Sequence, residues 1–192
     1  MVAVTSTMQD LGTPACEFCL PDTISGEKFN LRGNQNKPLL IMFICNHCPF
    51  VIHLIEPLVA LANQAQRDGF FVAAISSNDI EHYPQDAPER MTEFAKQYGF
   101  EFPYLYDQSQ SVAKSYQAAC TPDFFVYDEQ HKLKYRGQMD SSRPNNQLAV
   151  TGDDLSGAIN AVKQGTQVVQ EQAPSIGCNI KWKLGNEPEY FS

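Results

Sequence analysis

Pro38-Leu39-Leu40-Ile41-Met42-Phe43-Ile44-Cys45-Asn46-His47-Cys48-Pro49 is the stretch that decides the fold. Residues 38–44 form an unbroken apolar run of strand length, as a strand buried on both faces requires. Beyond Pro49, the residues Val51, Leu54, Ile55, Leu58, Leu61, Ala62 and Ala65 recur at three- and four-residue steps, which is one face of an amphipathic helix. Two cysteines two residues apart therefore fall at a strand-to-helix junction. A helix N-terminus carries unsatisfied N–H groups and partial positive charge, and both favour a thiolate over a thiol. Such sites lower a cysteine pKa from ~8.5 to between ~3.5 and ~7.5. His47 adds positive charge when protonated. The junction predicts Cys45 as the exposed attacking thiol and Cys48 as the more buried resolving partner. Pro49 suits a first helical turn, whereas Pro57 is expected to kink the helix.

The rest of the chain extends this unit. Gly69 is a helix stop signal, and Phe70-Phe71-Val72-Ala73-Ala74-Ile75 reads as a second buried strand. Strand, helix and strand make a βαβ unit with two parallel strands. Upstream, Cys16 to Leu20 and Lys28 to Leu31 alternate around the turn signal Ser25-Gly26-Glu27, so a small hairpin is expected. Downstream, Asp86 and Glu89 read as a capping box for a helix through Tyr98. Phe102 to Tyr106 reads as a short strand, and Asp107 with Gln110 as the cap of a further helix. Asp123 to Asp128 and Leu133 to Gly137 read as an antiparallel hairpin, and Thr151 to Gly165 as the last helix. The expected organisation is a flexible lead-in over 1–13, one domain over 14–166 and a C-terminal extension over 167–192.

Composition narrows the class. A chain of 192 residues, 43% of them apolar, can bury one real core. The formal net charge of -8 disfavours nucleic acid and anionic membrane as partners. No basic, apolar leader opens the sequence and no run approaches a membrane span, so a soluble cytoplasmic protein is expected. Thiols stay reduced there, and a Cys-x-x-Cys pair is then catalytic or metal-binding rather than structural. No phosphate loop or dinucleotide fingerprint is present, and no cofactor is expected.

Three segments carry a resemblance. Cys45-Asn46-His47-Cys48-Pro49-Phe50, Cys120-Thr121-Pro122-Asp123-Phe124-Phe125-Val126 and Gly177-Cys178-Asn179-Ile180-Lys181-Trp182 together resemble the peroxiredoxin-like group related to the alkyl hydroperoxide reductase and thiol-specific antioxidant (redoxin) family. The resemblance implies an α/β, thioredoxin-like fold: a central mixed β-sheet flanked by helices, here with an N-terminal hairpin and a C-terminal extension. It also implies a cis bond before Pro122, with the Thr121 backbone as platform for an extended substrate. The middle pair is Asn46-His47 where thioredoxin has Gly-Pro, so both residues count as modulators of thiolate stability. The acidic residue buried in the corresponding thioredoxin strand is missing from Leu39 to Ile44.

The first functional expectation is a thiol–disulfide oxidoreductase. Its Cys45–Cys48 dithiol would act on a disulfide-bearing protein or small molecule and be recycled by a thiol reductant system. The second is an antioxidant thiol peroxidase, in which Cys48 attacks peroxide and Cys45 condenses with the sulfenic acid. Peroxiredoxins place an arginine where Pro122 stands here, leaving Arg136 or Arg143 as substitutes. The third is a non-enzymatic zinc-binding or redox-sensing module, with Cys16, Cys19, Cys45 and Cys48 as ligands. The 25 residues between the two pairs exceed the usual ~15–20 of such sites. Cys16 and Cys19 read as small buried residues. Cys120 and Cys178 are the candidate auxiliary thiols, with packing beside Trp182 the expected role of Cys178.

Overall fold

The computed structural model describes residues 3–191. Five strands make the central sheet: β4 (Leu39–Phe43), β5 (Phe71–Ser76), β6 (Tyr104–Tyr106), β8 (Asp123–Tyr127) and β9 (Leu133–Gly137), in the order β6-β5-β4-β8-β9. The apolar run of β4 is buried at every position, as its composition requires. It pairs in parallel with β5, Leu39 opposite Phe71, and antiparallel with β8, Leu39 opposite Tyr127. The sheet is therefore mixed. β8 and β9 form the expected antiparallel hairpin, with a register shift at Val126/Tyr127.

The linking helices are α1 (Pro49–Arg67), α2 (Pro88–Tyr98), α3 (Ser111–Ser115) and α4 (Asp153–Gln164). Helix α1 runs through Pro57 and ends before Gly69, whose φ of +99° is a left-handed turn that suits glycine. The expected hairpin is β2 (Cys19–Pro21) with β3 (Lys28–Asn30).

The sheet has two unlike faces, because alternate strand residues point opposite ways. Leu40 and Met42 share one apolar cluster with Val51, Leu58, Met91, Phe94, Leu155 and Ile159, so α1, α2 and α4 cover that face. Leu39, Ile41 and Phe43 share the other with Leu20, Leu31, Val112, Ala113, Ile180 and Trp182, supplied by the hairpin, α3 and the C-terminal segment. Each large aliphatic or aromatic side chain so buried contributes ~1.5–3 kcal/mol.

A second sheet joins distant parts of the chain. β1 (Ala3–Thr5), β10 (Ile176–Asn179) and the short β7 (Cys120–Thr121) lie in the order β1-β10-β7. The lead-in expected to be flexible thus supplies a strand. Residues 3–5 and 176–178 pair across almost the whole sequence, a contact that no local pattern announces.

The capping box also differs. Helix α2 starts at Pro88 after Ala87, with no side-chain cap. Asp86 is instead fully buried and turned to the Cys45–Cys48 loop.

Candidate active site

Cys48 is the residue immediately before α1, and Pro49 takes the first helical position, where a missing N–H costs nothing. Cys45 and Cys48 both belong to the apolar cluster under α1. Their exposures are 1% and 0%. Cys45 is therefore not the exposed thiol expected from the sequence; the strand before it and the segments over it enclose both sulfurs.

Thr121 links the two thiols. The Thr121–Pro122 bond is cis, as expected. Thr121 Oγ1 lies 3.5 Å from Cys45 Sγ, and the protonated Cys48 thiol donates to Thr121 O over 3.0 Å. The platform expected on Thr121 is already filled, however. β10 pairs antiparallel with β7, Cys178 opposite Thr121 and Asn179 opposite Cys120. The edge expected to take a substrate's extended chain holds the protein's own strand.

The same pairing brings Cys178 to the site. Cys178 lies in the same apolar cluster as Cys45 and Cys48, whereas Trp182 belongs to the cluster on the other face. The expected packing of Cys178 beside Trp182 is thus replaced by contact with Cys48. Cys120 is wholly buried, and its thiol points at the carbonyls of Pro122 (3.5 Å) and Ser175 (4.0 Å). Burial pushes the Cys120 thiol well up, with Asp123 adding to the effect, which disfavours its thiolate.

The electrostatics separate Cys45 from Cys48. Hydrogen bonds from the Cys178 and Cys45 thiols hold Cys48 well below the ordinary thiol range, against the opposing effect of burial. Cys45 is pushed well up, because it donates to Cys48, is buried and faces the Asp86 carboxylate. Cys178 moves up for the first two of these reasons. Of the three clustered thiols, Cys48 alone is shifted toward the thiolate.

Asp86 and Asn46 fix the loop between the cysteines. Asp86 Oδ1 accepts the Asn46 backbone N–H at 2.9 Å, and Oδ2 accepts Asn78 Nδ2 at 2.8 Å. Asn46 also donates from Nδ2 to Gln85 O, and its Oδ1 accepts from the buried Tyr104 hydroxyl, both at 3.0 Å. His47 Nδ1 lies 2.7 Å from Asp86 Oδ2, and the ring stacks on Tyr83. A buried carboxylate, missing from β4, thus stands beside the cysteine loop in the segment after β5. Sequence reading assigned Asp86 to a helix cap; only a contact across 40 residues reveals its place.

The four-cysteine metal site does not form. Cys16 packs against the cluster on the opposite face from Cys45 and Cys48, and its thiol donates to Ser115 O at 3.3 Å. Cys19 is exposed. Among the described residues, Cys45 Sγ, a ring nitrogen of His47 and an Asp86 oxygen lie within 4.8 Å of one another and are the donors that could hold a metal ion. The Asp86 oxygens already accept hydrogen bonds from Asn46 and Asn78.

Neither candidate arginine touches the thiols. Arg136 lies over the Phe125 ring on the opposite sheet face, with Nη2 on Gln117 O at 2.7 Å and Asp123 Oδ2 at 3.1 Å. Arg143 spends its Nη1 on the carbonyls of Asp140 and Ser142, both at 2.7 Å. Among the described residues, no helix is long and apolar enough to cross a membrane.

Comparison with known proteins bears on the fold and the family. A crystal structure of an uncharacterized conserved protein from Geobacillus kaustophilus is 50% identical, with a TM-score of 0.92, covering 95% of this chain and 97% of that one. A hypothetical protein from Sinorhizobium meliloti is 48% identical, with a TM-score of 0.91 and coverage of 94% and 99%. A secreted disulfide oxidoreductase of Mycobacterium tuberculosis homologous to E. coli DsbE shares the fold at 22% identity, with a TM-score of 0.58 and coverage of 75% and 95%. No curated protein matches the chain. The model of the AhpC/TSA family matches residues 11–136, from before the hairpin through Arg136, and the chain, with its thioredoxin-like fold, belongs to that family.

Proposed function

We propose that this protein is a thiol–disulfide oxidoreductase working through the Cys45–Cys48 dithiol. The observation that carries the reading is the convergence of both thiols on Thr121 at a helix N-terminus. Cys48 is the nucleophile, because its thiolate accepts two S–H hydrogen bonds and sits where the helix dipole favours negative charge. It attacks one sulfur of a substrate disulfide, and that bond breaks to release a substrate thiolate. Cys45 then attacks Cys48 Sγ in the mixed disulfide, expelling the second substrate thiol and leaving the Cys45–Cys48 disulfide. A thiol reductant restores the dithiol, and two electrons pass in each half. These roles reverse those expected from the sequence. Asn46, Asp86 and His47 hold the loop that carries Cys45. The closed Thr121 edge favours a small disulfide over an extended peptide. A cytoplasmic setting, where the reductant is a cellular thiol, belongs to the same proposal.

The test is reduction of hydroxyethyl disulfide, with dithiothreitol as recycling reductant. The wild type is expected to turn over and Cys48→Ser to be silent. A Cys48→Ser variant as fast as the wild type would overturn the reading.

Charge on Cys48, followed by Pro49, also favours the peroxidase reading, with Cys48 oxidised to sulfenic acid and Cys45 condensing with it to expel water. Arg136, on the far face, is not placed to polarise a peroxide at Cys48. Stopped-flow mixing with hydrogen peroxide separates the two: slow consumption fits exchange, and rapid consumption with trapped Cys48 sulfenic acid fits a peroxidase.

A further inference from the structure

Strand β10 approaches β7 more closely than a side chain at residue 177 would allow. A Cβ added at Gly177 would lie 2.0 Å from Thr121 O and 2.6 Å from Thr121 C. Glycine is what lets the two backbones meet at this distance. The next residue, Cys178, stands opposite Thr121, whose carbonyl is 3.0 Å from Cys48 Sγ. One residue thus gathers three sulfurs: Cys45 at its hydroxyl, Cys48 at its carbonyl and Cys178 across the strand pair. Cys178 is 3% exposed, shares the apolar cluster of the other two and hydrogen-bonds to Cys48. β10 is clamped in place from its other side by β1, Ala3 opposite Cys178.

We propose that Cys178 is a third redox thiol that takes the disulfide over from the Cys45–Cys48 pair, so that β10 acts as a substrate strand built into the chain. The step follows from the placement and rests on the reading of Cys45–Cys48 as an exchanging dithiol. With Cys45 and Cys48 oxidised, the Cys178 thiol loses its proton and its sulfur attacks Cys48 Sγ. The Cys48–Cys178 bond forms while the Cys48–Cys45 bond breaks. Cys45 leaves as a thiolate and takes up the proton that Cys178 gave. One disulfide is present before and after, so no outside oxidant or reductant is consumed. The exchange returns a free thiol at Cys45, beside the partly exposed Asn46 and His47. Cys48 is the sulfur common to both disulfides.

The relay is tested by mapping disulfides after one equivalent of diamide and an acid quench. Wild type is expected to yield Cys45–Cys48, and Cys45→Ser to yield Cys48–Cys178. A Cys45→Ser protein in which both Cys48 and Cys178 remain alkylatable overturns the relay alone, provided the wild type still yields Cys45–Cys48. A wild type in which none of the three sulfurs pairs overturns the dithiol reading beneath it. Should Cys45→Ser fail to fold, wild type equilibrated in a glutathione redox buffer decides the question. Peptides bridged between Cys48 and Cys178 are expected beside those bridged between Cys45 and Cys48, and their absence at every ratio of oxidised to reduced glutathione overturns the relay. A Cys178→Ala variant, with far-ultraviolet dichroism to confirm folding, is expected to lose that second bridge and to turn over several-fold more slowly.

Discussion

Cys16-x-x-Cys19 and Cys45-x-x-Cys48 share one spacing and have opposite fates. The first pair lies at the start of a three-residue hairpin strand, with Cys19 exposed and Cys16 half-covered on the face opposite α1, α2 and α4. The second closes a wholly buried strand and opens a 19-residue helix, with both thiols enclosed. Spacing sets only the distance between two sulfurs. What favours a thiolate at one of them is the end of a long helix, a strand pair alongside and hydrogen-bond donors aimed at it. Burial alone works the other way: it pushes the half-covered Cys16 up, and it pushes Cys120 up further.

The contrast is broken or sharpened by substitution. The largest effect is expected at Cys48: Cys48→Ser should lower hydroxyethyl disulfide turnover by a factor on the order of a thousand or more, since a hydroxyl cannot replace the thiolate. Cys16→Ser in the same assay should stay within about twofold. Equal losses from both would mean that the spacing, not the setting, carries the activity.

Next comes Arg136, on the face that holds Cys16. Arg136→Met leaves Asp123 buried without its counter-charge and should cost about 3–5 kcal/mol of stability, read from urea unfolding at pH 7. Burial, partly offset by Arg136, already raises the Asp123 carboxyl to about 6. Since the folded state holds that proton more tightly than the unfolded chain, the contribution of Asp123 is present at low pH and fades as pH climbs through about 6. Without the cation the carboxyl rises further, so the deficit of Arg136→Met should be smaller at pH 5 than at pH 7. A deficit independent of pH would remove Asp123 from the account.

Gly177→Ala tests the thiol face from its far edge. The added methyl meets Thr121 backbone, and the expected cost is about 1–3 kcal/mol, with slower turnover because Thr121 shifts against both sulfurs. Asp86→Asn should act on chemistry more than on stability. It removes a negative charge that raises Cys45, so Cys45 should alkylate with iodoacetamide at lower pH than in the wild type. An unchanged pH profile would show that Asp86 only positions the loop. Cys19→Ser closes the series, with a stability change within about 0.5 kcal/mol, as for other exposed positions.

The elements that sequence made legible are those with a local cause. The apolar run of β4, the helical spacing of α1 and the stop at Gly69 each lie within a few residues of their signal, and the βαβ unit follows from them. Thr121-Pro122 was legible only through family resemblance. Three features of the site were not legible: Asp86 beside His47, the packing of the candidate auxiliary thiol Cys178 on Cys48 rather than beside Trp182, and Arg136 turned away from both cysteines. Each depends on a pairing across tens of residues or on which face an alternating strand presents. The capping-box reading of Asp86 obeyed local rules and lost to a buried hydrogen-bond network that satisfies both carboxylate oxygens.

Strands Ala3–Thr5 and Ile176–Asn179 are far apart in the sequence and lie side by side. Tags and proteolytic trimming near residue 3 are therefore not neutral choices for a biochemist handling this protein. Whatever loosens the first strand frees the flank of the strand that seats Cys178 against Cys48, and preparations differing only around residue 3 should differ in redox behaviour.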